Sequence, residues 1–378
     1  MKKLIAILVV FGLLTTAVFA QANFSAGGAT RFTLAESDTE TDEDVGTAFT
    51  SWFWMAADKT NEDNTMGAKG SFSIDMADGD FGFDAHGGTY FYAWWQPIDQ
   101  LFIKMGKVGE DGKHWAGADM MGWGFESNDL LINPEFNYYN AFAGGVLPDS
   151  FAFFDAGFND KTDLQISILP MDGLAINLGF VGGDTAESVF VDNIALQVVY
   201  QIPDLGEAAI GFKNAPEGGD RNVWLQYSMP ISNMKIEAGL QFTIRDDIDP
   251  ILGVGLGFRY GNQWGDQFWA TARLGIQYDL ESKDMIIGFG VCPSYDLEIF
   301  RIYVPFGIGM IMPDGGDSVM AWSFNPYIRR SMGGLEVWAG IIAYNGIHTS
   351  NSWAGPTISA DSEDQVNWAI PVGFMWAW

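Results

Sequence analysis

Phe300, Ile302, Val304, Phe306, Ile308 and Met310 share one face of an extended segment, and Arg301, Tyr303, Pro305, Gly307 and Gly309 share the other. The same period of two runs through 234–245. There Met234, Ile236, Ala238, Leu240, Phe242 and Ile244 oppose Lys235, Glu237, Gly239, Gln241, Thr243 and Arg245. It recurs at 252–260, where Leu252, Val254, Leu256, Phe258 and Tyr260 oppose three glycines and Arg259. At 268–278, Phe268, Ala270, Ala272, Leu274, Ile276 and Tyr278 oppose Trp269, Thr271, Arg273, Gly275 and Gln277. Alternation at every second residue is the mark of a β-strand with unlike faces, and no helical period persists anywhere in the chain. Such strands also build soluble sandwiches with one wet face. Length separates the two cases: these segments run about nine to thirteen residues, enough to cross a bilayer at a tilt, whereas ordinary strands average about five or six.

Between the strands lie short turns in a weak repeat. Pro97-Ile-Asp-Gln-Leu101 and Pro170-Met-Asp-Gly-Leu174 are alike, and related turns stand at 203–205, 230–234, 293–297 and 331–335. Proline presets the turn dihedral, and Asp, Asn or Gly tolerates the corner. Turns this tight belong on the periplasmic side of a membrane barrel, with longer loops outside. The opposite connections are longer and more acidic: 36–44 reads ESDTETDED, and 182–192 and 347–364 also carry acids. Strands placed from 24–35 to 366–378 put all the short turns, and both chain ends, on one side. The predicted fold is an all-β, transmembrane, antiparallel up-and-down β-barrel of about 16 to 18 strands, with 14 as the lower bound.

Composition supports a membrane barrel over a compact soluble fold, with 46 Gly, 29 Phe, 15 Trp and 12 Tyr in 378 residues. Lys2 and Lys3, an apolar run to Leu14, and Val18 and Ala20 form a secretory signal, predicting cleavage between Ala20 and Gln21. That leaves 21–378 as a single barrel domain. Net charge falls from −29 to −31 when Lys2 and Lys3 are removed, which argues against nucleic acid as a partner. The single cysteine, Cys292, forms no internal disulfide, so stability must come from the fold.

Trp368, Ile370, Val372, Phe374, Trp376 and Trp378 occupy alternate positions up to the last residue. This resembles the terminal assembly signal of bacterial outer-membrane barrels, carried here by Phe374, Trp376 and Trp378, although such chains usually end in Phe. With the signal, the turns and the strand lengths, the mature chain resembles outer-membrane porins at the level of the class. The resemblance implies insertion into outer-membrane lipid by the barrel assembly machinery and a passive channel for small hydrophilic solutes or ions. It leaves a homotrimer open, since trimers are common among such porins.

A barrel of this size leaves an aqueous lumen, and porins often narrow it with an inward loop. The stretch 109–160 is the candidate, with Glu110, Asp111, Asp119, Glu126 and Asp129 as constriction carboxylates; a surface loop is the alternative. Alternation turns Lys104, Lys235, Arg245, Arg259, Arg273, Arg301 and Arg329 inward, because cations on the lipid face are costly. They are candidate pore-lining residues that would set ion preference. The competing role is structural pairing with Glu237, Glu298 or Glu336. Trp224, Trp269, Tyr303, Tyr327 and Trp338 also turn inward and would suit stacking against sugar rings.

Catalytic signals are absent from the sequence. His86, His114 and His348 are too far apart for metal-ligand spacing, and no nucleophile elbow or phosphate loop occurs. Gly253, Gly255 and Gly257 sit at strand period and not in a dinucleotide turn. No cofactor or metal is expected. Two alternatives to a general diffusion channel remain: a sugar-specific channel, and a barrel that anchors surface loops of an adhesin or outer-layer protein.

Overall fold

The computed structural model describes residues 22–36, 48–77, 80–83, 90–107, 164–180, 194–215, 220–245, 248–262, 265–324, 326–345 and 366–377. They form one antiparallel sheet of eighteen strands that closes on itself. In chain order these are β1 (Asn23–Glu36), β2 (Ala48–Thr60), β3 (Met66–Ala77), β4 (Asp80–Phe83 and Tyr90–Ile98), β5 (Leu101–Lys107) and β6 (Leu164–Met171). Next come β7 (Leu174–Phe180), β8 (Ile194–Ile202), β9 (Gly206–Ala215), β10 (Asp220–Ile231), β11 (Met234–Arg245) and β12 (Ile248–Tyr260). The wall ends with β13 (Phe268–Asp279), β14 (Met285–Asp296), β15 (Arg301–Tyr303 and Phe306–Met312), β16 (Val319–Phe324 and Tyr327–Met332), β17 (Leu335–Gly340 and Ile342–Asn345) and β18 (Val366–Ala377). Each strand pairs with its chain neighbours, and β1 pairs with both β2 and β18. Eighteen is the upper end of the count expected from sequence and excludes fourteen.

Closure explains why so many exposed apolar residues are tolerated. In hydrocarbon every backbone N–H and C=O must find a partner within the protein, and a closed ladder leaves no open edge. The outward face is largely apolar: Phe91 (66 % exposed), Met105, Ile210, Leu225, Leu240 and Leu256 all stand free of the wall. The inward face holds the buried polar residues, among them Lys104, Gln165, Ser167, Asn177, Gln197 and Gln226. Polarity is thus inverted relative to a water-soluble sandwich, which is what lipid outside the wall requires. Among the described residues no helix is long and apolar enough to cross a membrane.

The tight connections at 61–65, 99–100, 172–173, 203–205, 232–233, 297–300 and 333–334 share one rim with the start of β1 and the end of β18, as the alternation of strand directions demands. On the other rim 280–284 and 313–318 are described. The acidic stretches 37–44, 182–192 and 347–364 lie outside the described residues, as does the signal segment. Pro203 lies in its turn as expected, but other prolines do not. Pro97 and Pro170 lie in the strands, inside the register shifts between Trp95 and Ile98 and between Ile168 and Met171. The left-handed corner falls instead on residues such as Gly173 (φ 77°) and Ser232 (φ 57°). Proline has no N–H to give a ladder, so an irregular rung beside the rim suits it. Pro305 likewise accompanies the break in β15.

A second device fits large rings to the inner wall. Trp54 on β2 faces Gly27 on β1, Trp94 faces Gly67, Trp224 faces Gly211, and Trp338 faces Gly373, each pair directly cross-strand. A Cβ on Gly27 would come within 2.8 Å of the Trp54 ring, and one on Gly67 within 2.8 Å of Trp94. The indole covers bare backbone, and the glycine supplies the room that the ring needs.

The inverted wall makes a sharp stability contrast. Leu240→Arg, at mid-height on the outward face, is expected to destabilise the barrel by about 2–4 kcal/mol in lipid, while Leu205→Arg in a rim turn costs about 0–1 kcal/mol. Denaturant unfolding of the barrel in phospholipid vesicles measures both; equal costs would contradict the lipid-facing assignment.

Candidate functional site

The inward face divides into a charged and aromatic band near the tight-turn rim and a neutral region further round. In the first, Asp296 pairs across the strands with Arg301, and Arg301 lies directly opposite Arg329. Like charges facing one another in a sheet repel, and here each has an acid. Arg301 Nη2 lies 3.4 Å from Asp296 Oδ2. Arg329 Nη2 contacts Glu336 Oε2, and the Ser331 hydroxyl donates to Glu336 Oε1 at 3.1 Å. Arg301 also donates to Ser294 Oγ and to the backbone carbonyl of Asp266. Both guanidinium groups are buried.

Aromatic rings pack beside this ladder. Tyr303 and Tyr327, directly cross-strand, stack with centroids 4.5 Å apart and planes 5° apart, and Trp269 meets Tyr303 edge-on at 6.3 Å. Trp338 and Cys292 complete the buried cluster. The five inward aromatics expected from sequence, Trp224 among them, are all buried. Cys292 is a buried thiol that forms no disulfide.

The other candidate cations are distributed along the wall. Lys235 pairs with Glu237 on its own strand and faces Arg259 across the ladder. Lys104 is buried on β5, with Nζ 4.3 Å from the Tyr92 ring centroid, where the ring's negative face attracts it. Arg273 sits between Gly257 and Gly290, and Arg245 opposite Ile248, in backbone register; the side chains of both lie outside the described ones. The carboxylates Glu110, Asp111, Asp119, Glu126 and Asp129, and Trp378, also lie outside the described residues. Phe374 faces outward, and Trp376 packs against Phe53 with ring centroids 5.6 Å apart, so this part of the terminal motif joins β18 to the outer surface of β2.

Away from the Lys235–Glu237 pair, amides and hydroxyls line β6 to β8 and the middle of β11. Gln165 Nε2 donates to Ser167 Oγ at 2.8 Å, Asn177 Nδ2 to Gln197 Oε1 at 3.2 Å, and Gln241 Nε2 to Thr243 Oγ1 at 2.9 Å. Beyond it lies a row with no side chains: Gly239, Gly255, Gly275, Gly288 and Gly309 face one another across five adjacent strands, β11 to β15. Sequence reading noticed the spacing of Gly253, Gly255 and Gly257 along one strand. It missed this row across strands, which becomes visible only when register is known. Most of the described polar inward side chains are buried, while Lys235 and Arg259 are partly exposed. Among the described residues no cluster of His, Cys, Asp or Glu could hold a metal ion.

No protein-family model and no curated protein sequence matches the chain. Solved structures with the same fold do. The anion-selective porin from Comamonas acidovorans superposes with a TM-score of 0.55 at 10% identity, over 95% of this chain and 100% of that one. OccK11 of Pseudomonas aeruginosa gives 0.55 at 10% identity, over 94% and 95%. OmpT of Vibrio cholerae gives 0.51 at 11% identity, over 94% and 97%. The fold of this chain is therefore that of outer-membrane porins.

The Arg329–Glu336 pair gives a direct test of the ladder. Glu336→Leu strands Arg329 opposite Arg301 and is expected to cost roughly 3 kcal/mol, whereas Arg329→Leu with Glu336→Leu costs less than that single change. Denaturant unfolding of the three variants checks it; additive costs would show the pair uncoupled.

Proposed function

We propose that this protein is an outer-membrane channel, not an enzyme, through which small hydrophilic solutes or ions diffuse passively. The chain would reach that membrane as an exported protein cleaved after Ala20. The observation that carries the reading is the closed wall with polar residues inward and apolar residues outward over eighteen strands. Such a wall has a use for polar inward side chains only if something polar occupies the interior. Burial of those side chains favours a narrow, selective path over a wide one.

Arg301 and Arg329 are held by Asp296 and Glu336, and Lys235 by Glu237, so their charges are largely compensated. Among the inward cations we propose Lys104, Arg245, Arg259 and Arg273 as contributors to ion preference, with Glu110, Asp111, Asp119, Glu126 and Asp129 of the segment 109–160 as the proposed opposing carboxylates. Arg259→Gln with Arg273→Gln is expected to move the reversal potential in a salt gradient toward cations, and Arg301→Gln to leave it nearly unchanged. An unmoved potential in the double variant removes the two arginines from the path.

Burial of the inner wall also favours a second reading, a barrel that only anchors loops at the cell surface. Liposome swelling separates the two. Vesicles carrying the folded barrel should swell in small isosmotic solutes, at rates that fall steeply with solute size, whereas an anchor leaves them unswollen.

A further inference from the structure

Pairing in five neighbouring ladders is interrupted at one level of the wall. On β14–β15 it stops after Ser294 with Tyr303 and resumes at Val291 with Phe306, leaving out two pairs. β15–β16 omits the two pairs between Tyr303 and Phe306, β16–β17 the two between Tyr327 and Phe324, and β17–β18 the two between Ala339 and Ile342. β18–β1 shifts register just beyond Thr33, which faces Pro371. Each gap begins on the strand where the last one ended, so together they draw one line from β14 round to β1. The ladders on either side are whole: β13–β14 and β1–β2 each run through eleven consecutive pairs.

Proline marks the line. Pro293, Pro305, Pro326 and Pro371 stand on it, and proline has no N–H to give a ladder. The bonding that crosses the gaps at Pro293 and Pro326 is one-way. Val304 N–H donates to the Pro293 carbonyl and Ile341 N–H to the Pro326 carbonyl, each at 3.0 Å, and the proline returns nothing. Gly340 holds the place on β17, where a Cβ would come within 2.6 Å of the Tyr327 Cβ. In a whole ladder a strand bends sharply only by breaking rungs to both neighbours. Along this line rungs are already missing, so changes in ψ at a few residues bend several strands at the same level.

Between the line and the tight-turn rim lies a panel that is bonded within itself. Arg301 pairs with Asp296, Arg329 pairs with Glu336, and Tyr303 stacks on Tyr327. Arg301 also donates to the backbone carbonyl of Asp266, which ties one edge of the panel to the turn before β13. The panel is thus well linked inside and weakly joined to the wall above it. Its rings and guanidinium groups point inward, so a tilt of the panel changes the bore at this rim. We propose that the proline line is a hinge on which the panel of β14 to β18 tilts as one body and narrows the path at the tight-turn rim. The inference deepens the reading of the interior as a solute path and rests on it.

Hydrogen exchange tests the hinge, and single-channel recording tests what it does to the path. In the unaltered protein, folded in micelles, the Val304 and Ile341 amides should exchange at least about tenfold faster than those of Thr271 and Ala272, which lie near the same height within whole ladders. Pro293→Ala with Pro326→Ala returns the two missing donors. It should slow exchange at Val304 and Ile341 about tenfold, the scale of one recovered hydrogen bond. In a planar bilayer the same variant should show brief partial closures about tenfold more rarely, at unchanged full conductance. Three outcomes would overturn the hinge: equal exchange at the two sets of amides in the unaltered protein, an open channel without partial closures, or closures as frequent in the folded double variant. The first two need no variant, so they decide even where the double variant fails to fold. A silent barrel that keeps the exchange contrast sinks the channel reading and leaves the hinge.

Discussion

Pairing of β1 with β18 is the constraint from which the rest of the structure follows. A sheet in hydrocarbon cannot leave an edge of unpaired N–H and C=O groups, because no water is there to satisfy them. Once the last strand returns to the first, the wall has an inside and an outside, and alternation assigns every residue to one or the other. Phe374 and Trp376 then do two things at once. Their strand closes the ladder, and their side chains extend the apolar outer surface toward Phe53. The sheet has no core in the soluble sense; among its described residues polar side chains are buried as often as apolar ones, and many large apolar ones are exposed.

The inside is organised by what the strands place opposite one another. Where like charges meet, as at Arg301 and Arg329, acids on the flanking strands compensate them. Where Trp54, Trp94, Trp224 and Trp338 turn inward, a glycine faces each. Where glycines face glycines across five strands, the wall is left without side chains. The charged side chains and aromatic rings of Arg301, Arg329, Tyr303 and Tyr327 share one band, whereas the amides Gln165, Asn177 and Gln197 lie on strands further round the wall. Segregation of this kind suits a path on which different solutes meet different surfaces.

Much of the architecture was legible along the chain. The faces of 234–245 and 299–310 follow from a period of two, and the rim of the tight turns follows from counting strands between them. The inward aromatics Trp224, Trp269, Tyr303, Tyr327 and Trp338 were legible for the same reason, since one-dimensional alternation decides which face a residue takes. Register was not legible, because it depends on which residues oppose one another across strands that are far apart in sequence or joined by loops of variable length. The placing of Arg301 opposite Arg329, the tryptophan–glycine pairs and the glycine row all depend on register. Pro97 and Pro170 misled for a related reason. A proline near a turn suits either the corner or an irregular final rung, and only the ladder shows which.

The central claim is that the closed wall encloses a polar path from one rim to the other. Single-channel recording in a planar lipid bilayer addresses it most directly. Folded protein should give steady, discrete openings in potassium chloride, smaller than a solvent-filled barrel of eighteen strands would allow. A correctly folded and inserted barrel that stays electrically silent across the full voltage range would contradict it.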